Sequence, residues 1–244
     1  MEMNEEIMDI ALDIINELLQ NQEISKLKNT ALYHQYISNT EVENLTNKIA
    51  LKMGFEIYPM EKSLNLCVMP ENKAFGYTNE DLKNRIKQFN KNEDIYLMYF
   101  IIVTLITCFY KESGFNTPRT YLKFSELMET IQVKFENLVK EEVEEESKNM
   151  KYNFVSIKNV WERLADAKEE RVGVSKNDKI SFVKLVLRFL QEENLIFFDE
   201  TTRNIYITTR FKAIVYFYFE YDKANKNNLM EYIYHLGGEK DATY

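Results

Sequence analysis

The sequence predicts a mainly α-helical fold with small β-hairpins, organised as two similar units joined by a helical connector. Three observations carry that expectation. Six glycines and three prolines in 244 residues supply too few tight turns for an all-β sandwich, propeller or barrel. A composition that is 45% hydrophobic and 14% aromatic can bury one large core or two ordinary ones, and it does not fit a disordered chain. Finally, a run of helices leading into a hairpin occurs early in the chain and again late.

The first unit, residues 1–78, opens with Ile7, Ile10, Ala11, Ile14, Leu18 and Leu19 at helical spacing, with Glu5, Glu6, Asp9, Asp13 and Glu17 largely on other faces. A short helix is expected over 25–36. Ser38 followed by Glu41 has capping-box spacing, so a third helix should start there, carry Val42, Leu45, Ile49 and Met53 on one face, and stop at Gly54. Residues 55–58 and 64–68 then read as two strands about the polar turn Met60-Glu61-Lys62-Ser63. Three helices and a hairpin in this order predict a winged helix.

A second winged helix is expected over 151–222. Phe154, Ile157, Val160, Trp161 and Leu164 mark its first helix, and a middle helix falls around 168–174. Ser175-Lys176-Asn177-Asp178 offers a cap for a long apolar helix from Ile180 that ends at Asn194. Residues 195–198 and 205–207 form the hairpin across the turn 199–204, and Thr208 or Thr209 caps a following helix from Arg210. Residues 79–150 form the connector, whose last helix spans about 120–146. Residues 223–244 make a tail, with a short apolar helix signal over 229–236 and a polar end.

Within the connector, residues 95–110 are almost uninterrupted apolar and aromatic. At sixteen residues, bounded by Asp94 and Lys111, the stretch falls short of the roughly 18 to 20 that cross a bilayer, so it reads as a buried central helix. Acidic residues, not basic ones, stand where a signal peptide would carry Lys or Arg, and Cys67 and Cys108 form no disulfide framework or zinc-site spacing. A cytoplasmic protein without membrane contact is expected.

Charge is uneven. Residues 1–50 hold nine acids against three bases, and the run 141–146 adds five acids. The remainder has 25 acids against 28 bases, so the net charge of -8 leaves room for a local nucleic-acid patch. The acidic run itself reads as a solvated helix face beside a linker.

Catalytic patterns are missing from the sequence. It has no phosphate loop, GxGxxG, HExxH or calcium-loop pattern, and His34 and His235 stand alone. A non-enzymatic protein without metal or cofactor is the expectation. Two features bear on binding. Lys184 and Arg188 lie one helical turn apart, Arg203 lies in the second wing turn, and Arg210 and Lys212 open the next helix; together they would give salt-sensitive contact with duplex phosphates. The aromatic run 214–219, with Tyr216 and Tyr218, and Tyr221 after it, would expose rings on more than one helix face, as interaction surfaces do.

The order of units over about 1–220 resembles that of the KITE proteins, the tandem winged-helix subunits of bacterial SMC complexes, which include MukE, MksE and the B subunit of the Wadjet plasmid-defence system. The likeness is greatest at 180–220, where the apolar helix leads into Leu195-Ile196-Phe197-Phe198-Asp199, the wing, Ile205-Tyr206-Ile207-Thr208-Thr209-Arg210 and a terminal helix. The resemblance implies a non-catalytic subunit, located on the nucleoid or on plasmids, that dimerises, binds the kleisin bridging two SMC-like ATPase heads, and helps clamp duplex DNA non-specifically. ATP-driven loop extrusion and DNA cleavage would belong to other subunits. The acid-rich first fifty residues depart from a DNA-facing first unit, because the helix over 38–53 offers only Lys48 and Lys52. The alternative from another class is a stand-alone dimeric winged-helix transcription regulator. Asn44, Asn47 and Lys48 could then read base edges.

Overall fold

The computed structural model describes residues 5–110, 118–138, 154–166 and 177–225, with side chains in the last segment given as far as 218. These residues are mainly helical and carry two three-stranded antiparallel sheets. The predicted middle helix at 168–174, the acidic run 141–146 and the helix signal at 229–236 lie outside the described residues.

Two compact units are present. The first comprises residues 1–78 together with 208–221. It runs α1 (Glu5–Asn21), β1 (Glu23–Ser25), α2 (Thr30–Ser38), α3 (Thr40–Lys52), β2 (Phe55–Met60) and β3 (Ser63–Val68), with strand order β1-β3-β2. Helix α1 buries Ala11, Ile14, Ile15 and Leu18, the stripe its spacing predicts. Its C-terminal neighbour Gln22 turns left-handed at φ 62° and feeds β1, a three-residue strand where a helix was expected to be starting.

The cap of α3 differs from expectation. Asn39, not Ser38, accepts the free amides, from Glu41 at 3.1 Å and Val42 at 3.3 Å, while the Ser38 hydroxyl donates back to the His34 carbonyl. Asn39 sits in extended backbone, as an N-cap must, whereas Ser38 still belongs to α2. The far end of α3 turns at Gly54, with φ 78°. The Asn72 amide donates to the carbonyls of Met53 and Gly54, and it would lie 2.6 Å from a Cβ placed at Gly54. Glycine is thus required there both by conformation and by close approach. The hairpin closes through Glu61 and Lys62, and Pro59 is tolerated because β2 is an edge strand.

The second unit comprises 79–207, with its continuation from 222. Its elements are α4 (Asn79–Arg85), α5 (Asn92–Phe109), β4 (Leu122–Lys123), α6 (Phe124–Asn137), α7 (Phe154–Arg163), α8 (Lys179–Glu192), β5 (Ile196–Asp199) and β6 (Asn204–Ile207), with strand order β4-β6-β5. Here the boundaries depart from the expected 79–150 connector and 151–222 unit. The outer strand β4 comes from the supposed connector and pairs with β6, so α5, β4 and α6 belong to the same body as the second hairpin. Residues 208–221 belong to the first unit. Among the described residues the order helix, strand, helices, hairpin is therefore common to both units once α5 is taken as the first helix of the second; α4 and α7 are additional.

Helix α5 is the core of the second unit and packs on α4, α6, α7 and α8. The Asp94 carboxylate starts it by accepting from the amides of Asn90 and Lys91, both at 3.1 Å. The helix reaches 18 residues, longer than expected, and it is the one described helix long and apolar enough by composition to span a bilayer; 61% of that stretch is buried inside the protein. Phe135 lies between Phe100 and Trp161, with centroids at 4.5 and 5.4 Å, and Phe89 stacks on Phe182 at 4.7 Å. Asp178 caps α8 through the Ser181 amide at 2.8 Å, and Asn194, at φ 56°, ends the turn after it.

Candidate nucleic-acid interface

The structure divides the predicted basic set. Lys184, Arg188 and Arg203 lie in the second unit, whereas Arg210 and Lys212 lie on α9 (Thr209–Asn225) and belong to the first, with Lys48 and Lys52.

Arg210 is not available to a phosphate. It is 7% exposed, and its Nη1 donates to the Leu66 carbonyl at 3.0 Å and the Gln22 carbonyl at 3.1 Å. The reason lies in β1, which pairs with only Ser63, Leu64 and Asn65 of β3. Beyond it the β3 edge would have an open carbonyl at Leu66 and another two residues on at Val68. Arg210 takes the first, and the Tyr218 hydroxyl donates to the second. A helix thus supplies the donors that a longer strand would have supplied. Lys212 is engaged as well, 2.7 Å from Glu61 in the β2–β3 turn, and this hydrogen bond holds the Glu61 carboxyl below its ordinary range.

The aromatic prediction on α9 changes accordingly. Tyr218 is partly exposed but its hydroxyl is bound to the sheet, and burial pushes its pKa up to about 12. Tyr216 is half-buried, and the Tyr221 side chain lies outside those described.

In the second unit, α8 is buried on most of its faces through Phe182, Val183, Leu185, Val186, Leu187, Phe189 and Leu190. Lys184 is half-buried; Arg188 is exposed and pairs with Glu192 at 3.1 Å. Arg203 is exposed in the wing turn at φ 55°. In that turn Asp199 accepts from the Thr201 and Thr202 amides and the Thr202 hydroxyl, which lower its pKa.

On α3 the polar groups do converge. Asn44, Asn47, Lys48, Leu51 and Lys52 line one shallow hollow of about 500 Å³, with Lys48 and Lys52 exposed one turn apart. Asn47 is held from behind by Tyr36, which is 1% exposed and donates its hydroxyl to the Asn47 Oδ1 at 2.8 Å. One end of that amide is therefore committed within the protein, and a bidentate contact with adenine needs both ends. Lys62, exposed in the two-residue β2–β3 turn, is a further cation of this unit that the sequence reading did not single out. Its position in the turn was the available signal.

Neither thiol is poised for chemistry. Burial pushes Cys67 up to about 12 and also raises Cys108, so neither forms thiolate near neutral pH. Among the described residues no group of three or more His, Cys, Asp and Glu side chains is placed to hold a metal.

No curated protein matches the chain. The model of one family matches residues 1–240, nearly the whole length, and on this evidence the chain belongs to DUF6063, a family of unknown function.

Proposed function

We propose that the protein is a non-catalytic, tandem winged-helix subunit of an SMC-type complex, KITE-like, which binds a kleisin and contacts duplex DNA non-specifically. The observation that carries this reading is the repeated wiring: two three-stranded sheets, ordered β1-β3-β2 and β4-β6-β5, each completed by a hairpin that directly follows a helix, α3 in the first unit and α8 in the second. A winged helix has this order, and two in one chain is what the resemblance implies.

Duplex contact in this reading falls to α3, the helix before the hairpin, which in a winged helix would be the one to approach DNA. Lys48 and Lys52 supply phosphate contacts, and the commitment of Asn47 to Tyr36 argues for weak base preference. The same face supports the second reading, a dimeric transcription regulator, through exposed Asn44 and Lys48. Homodimerisation and a place in plasmid defence belong to the first reading through the resemblance.

The test is an affinity pull-down of the tagged protein from its native host at moderate salt, with mass spectrometry of what remains bound. Recovery of an SMC-like ATPase and a kleisin is the expected result. Recovery of the protein alone, as a dimer selecting a defined DNA sequence, would overturn it in favour of the regulator. For the α3 face, Lys48→Glu with Lys52→Glu should weaken duplex binding at low salt and flatten its salt dependence by about two counterion contacts, a change of roughly 1.8 in slope. An unchanged slope would remove α3 from the account.

A further inference from the structure

We propose that the outer face of the second sheet is a stacking platform for single-stranded nucleic acid. The sheet buries Leu122, Ile205 and Ile196 on one side. On the other side three rings form a row: Tyr121 just before β4, Tyr206 on the central strand β6 and Phe197 on β5, with neighbouring centroids 6.1 and 6.2 Å apart. Phe197 is 56% exposed and Tyr121 44% exposed. Water-facing aromatics ordered across a sheet are costly to leave uncovered, and a contiguous set marks an interaction surface.

The next row along the same face favours a nucleic acid as the occupant. Pleating places Lys123, Asn204 and Asp199 together there, in paired register. Lys123 is exposed, and the exposed Arg203 adjoins Asn204 at the tip. The one acid of this row is turned into its own loop, its carboxylate accepting the two threonine amides and the Thr202 hydroxyl. Cations along one side of the ring row, with the Asp199 carboxylate at its far end engaged by its own loop, suit unpaired bases stacked on the rings and a backbone running past Lys123. A duplex cannot use the rings, because its bases are already stacked on one another.

This inference does not depend on α3 or on the SMC reading. The test compares binding of the full chain to a fluorescein-labelled oligothymidine and to a duplex of the same length, for the native protein, for Phe197→Ser with Tyr121→Ser, and for Lys48→Glu with Lys52→Glu. Both aromatic positions are exposed, so the variant should keep the native thermal transition; Phe197→Tyr with Tyr121→Phe, which keeps the rings, is the control if it does not. The expected result is a loss of about tenfold or more in single-strand affinity on removing two rings, with duplex affinity unchanged and the ring-retaining control binding as the native protein. The α3 variant should keep its single-strand binding. Lys123→Gln should reduce the salt slope for the single strand by about 0.7. Absence of single-strand binding by the native protein, or equal loss for single strand and duplex in the ring variant, would overturn the proposal.

Discussion

The two units share their strand wiring and differ in how each finishes its sheet. In the first, β1 covers three residues of β3, and the rest of that edge is closed by Arg210 and Tyr218, reaching from a helix some 144 residues further along the chain. In the second, β4 covers only two residues of β6, and the exposed edge is that of β5, where the Phe198 amide donates to the Gln191 side chain on the preceding helix at 2.9 Å. The first unit closes its edge with distant groups, one of them, Arg210, buried; the second uses a neighbour and leaves it in solvent. Each unit also buries a cation, Arg210 in the first and Lys134 in the second. Arg210 carries its charge against two carbonyls, while burial pushes Lys134 down to about 8. Similar wiring therefore does not mean similar dependence on the rest of the chain.

The largest effect expected from this difference is on isolated fragments. Without α9, residues 1–78 lose the buried side chains of Phe211, Ala213, Val215 and Phe217 as well as both edge donors. At about 1.5 to 3 kcal/mol for each large side chain, the loss is comparable with the whole stability of a small domain. Residues 1–78 alone should show no cooperative thermal transition by circular dichroism, and joining them to 208–225 through a flexible linker should restore one. A cooperative transition in the shorter fragment would make α9 an accessory. Within the full chain, Arg210→Ala should cost about 4 kcal/mol in urea unfolding, since two charge-assisted hydrogen bonds go and two carbonyls remain buried.

How far these features could be read in advance follows from the range of the interactions. Both hairpins were legible because alternation and a polar turn are local signals. The strands β1 and β4 were not, because three and two residues hold no period; their pairing with β3 and β6 depends on residues far along the chain. That gap also led Arg210 astray. As a basic residue opening a helix it reads as solvated, and only the shortness of β1 creates the carbonyls that bury it. Lys48 and Lys52 were legible from helical spacing, and they are exposed as expected. Lys134 could have been flagged, since it lies on the face of α6 that carries Leu127, Ile131, Phe135 and Leu138.

Lys134 supplies the next prediction, opposite in sign to that for Arg210. Its folded pKa of about 8 lies below its ordinary 10.5, so between those values the unfolded chain binds more protons and stability rises with pH. Below about pH 8 the full cost of charging a buried amine is present. Lys134→Met should therefore stabilise the protein at pH 7 by up to about 3 kcal/mol, and the gain should shrink as the pH is raised from 8 towards 10. Urea melts of the native and variant chains at pH 7 and pH 9.5 check this; a constant difference would mean that Lys134 is not the titrating group.

The edge donors give the smallest effects and the closest comparison. Tyr218→Phe removes one hydroxyl bond to a strand carbonyl and should cost about 1 kcal/mol. Gln191→Ala removes the cover of the Phe198 amide where water can replace it, so a loss of about 0.5 kcal/mol or less is expected. Its consequence should appear in solution behaviour instead of stability. An uncovered β5 edge next to the exposed Phe197 offers an unpaired amide and an apolar ring to a second chain. Sedimentation velocity over a concentration series should show more self-association for Gln191→Ala than for the native protein, and no such change for Tyr218→Phe, whose edge stays covered by α9. Equal association in the two variants would mean that the β5 edge is guarded by something other than Gln191.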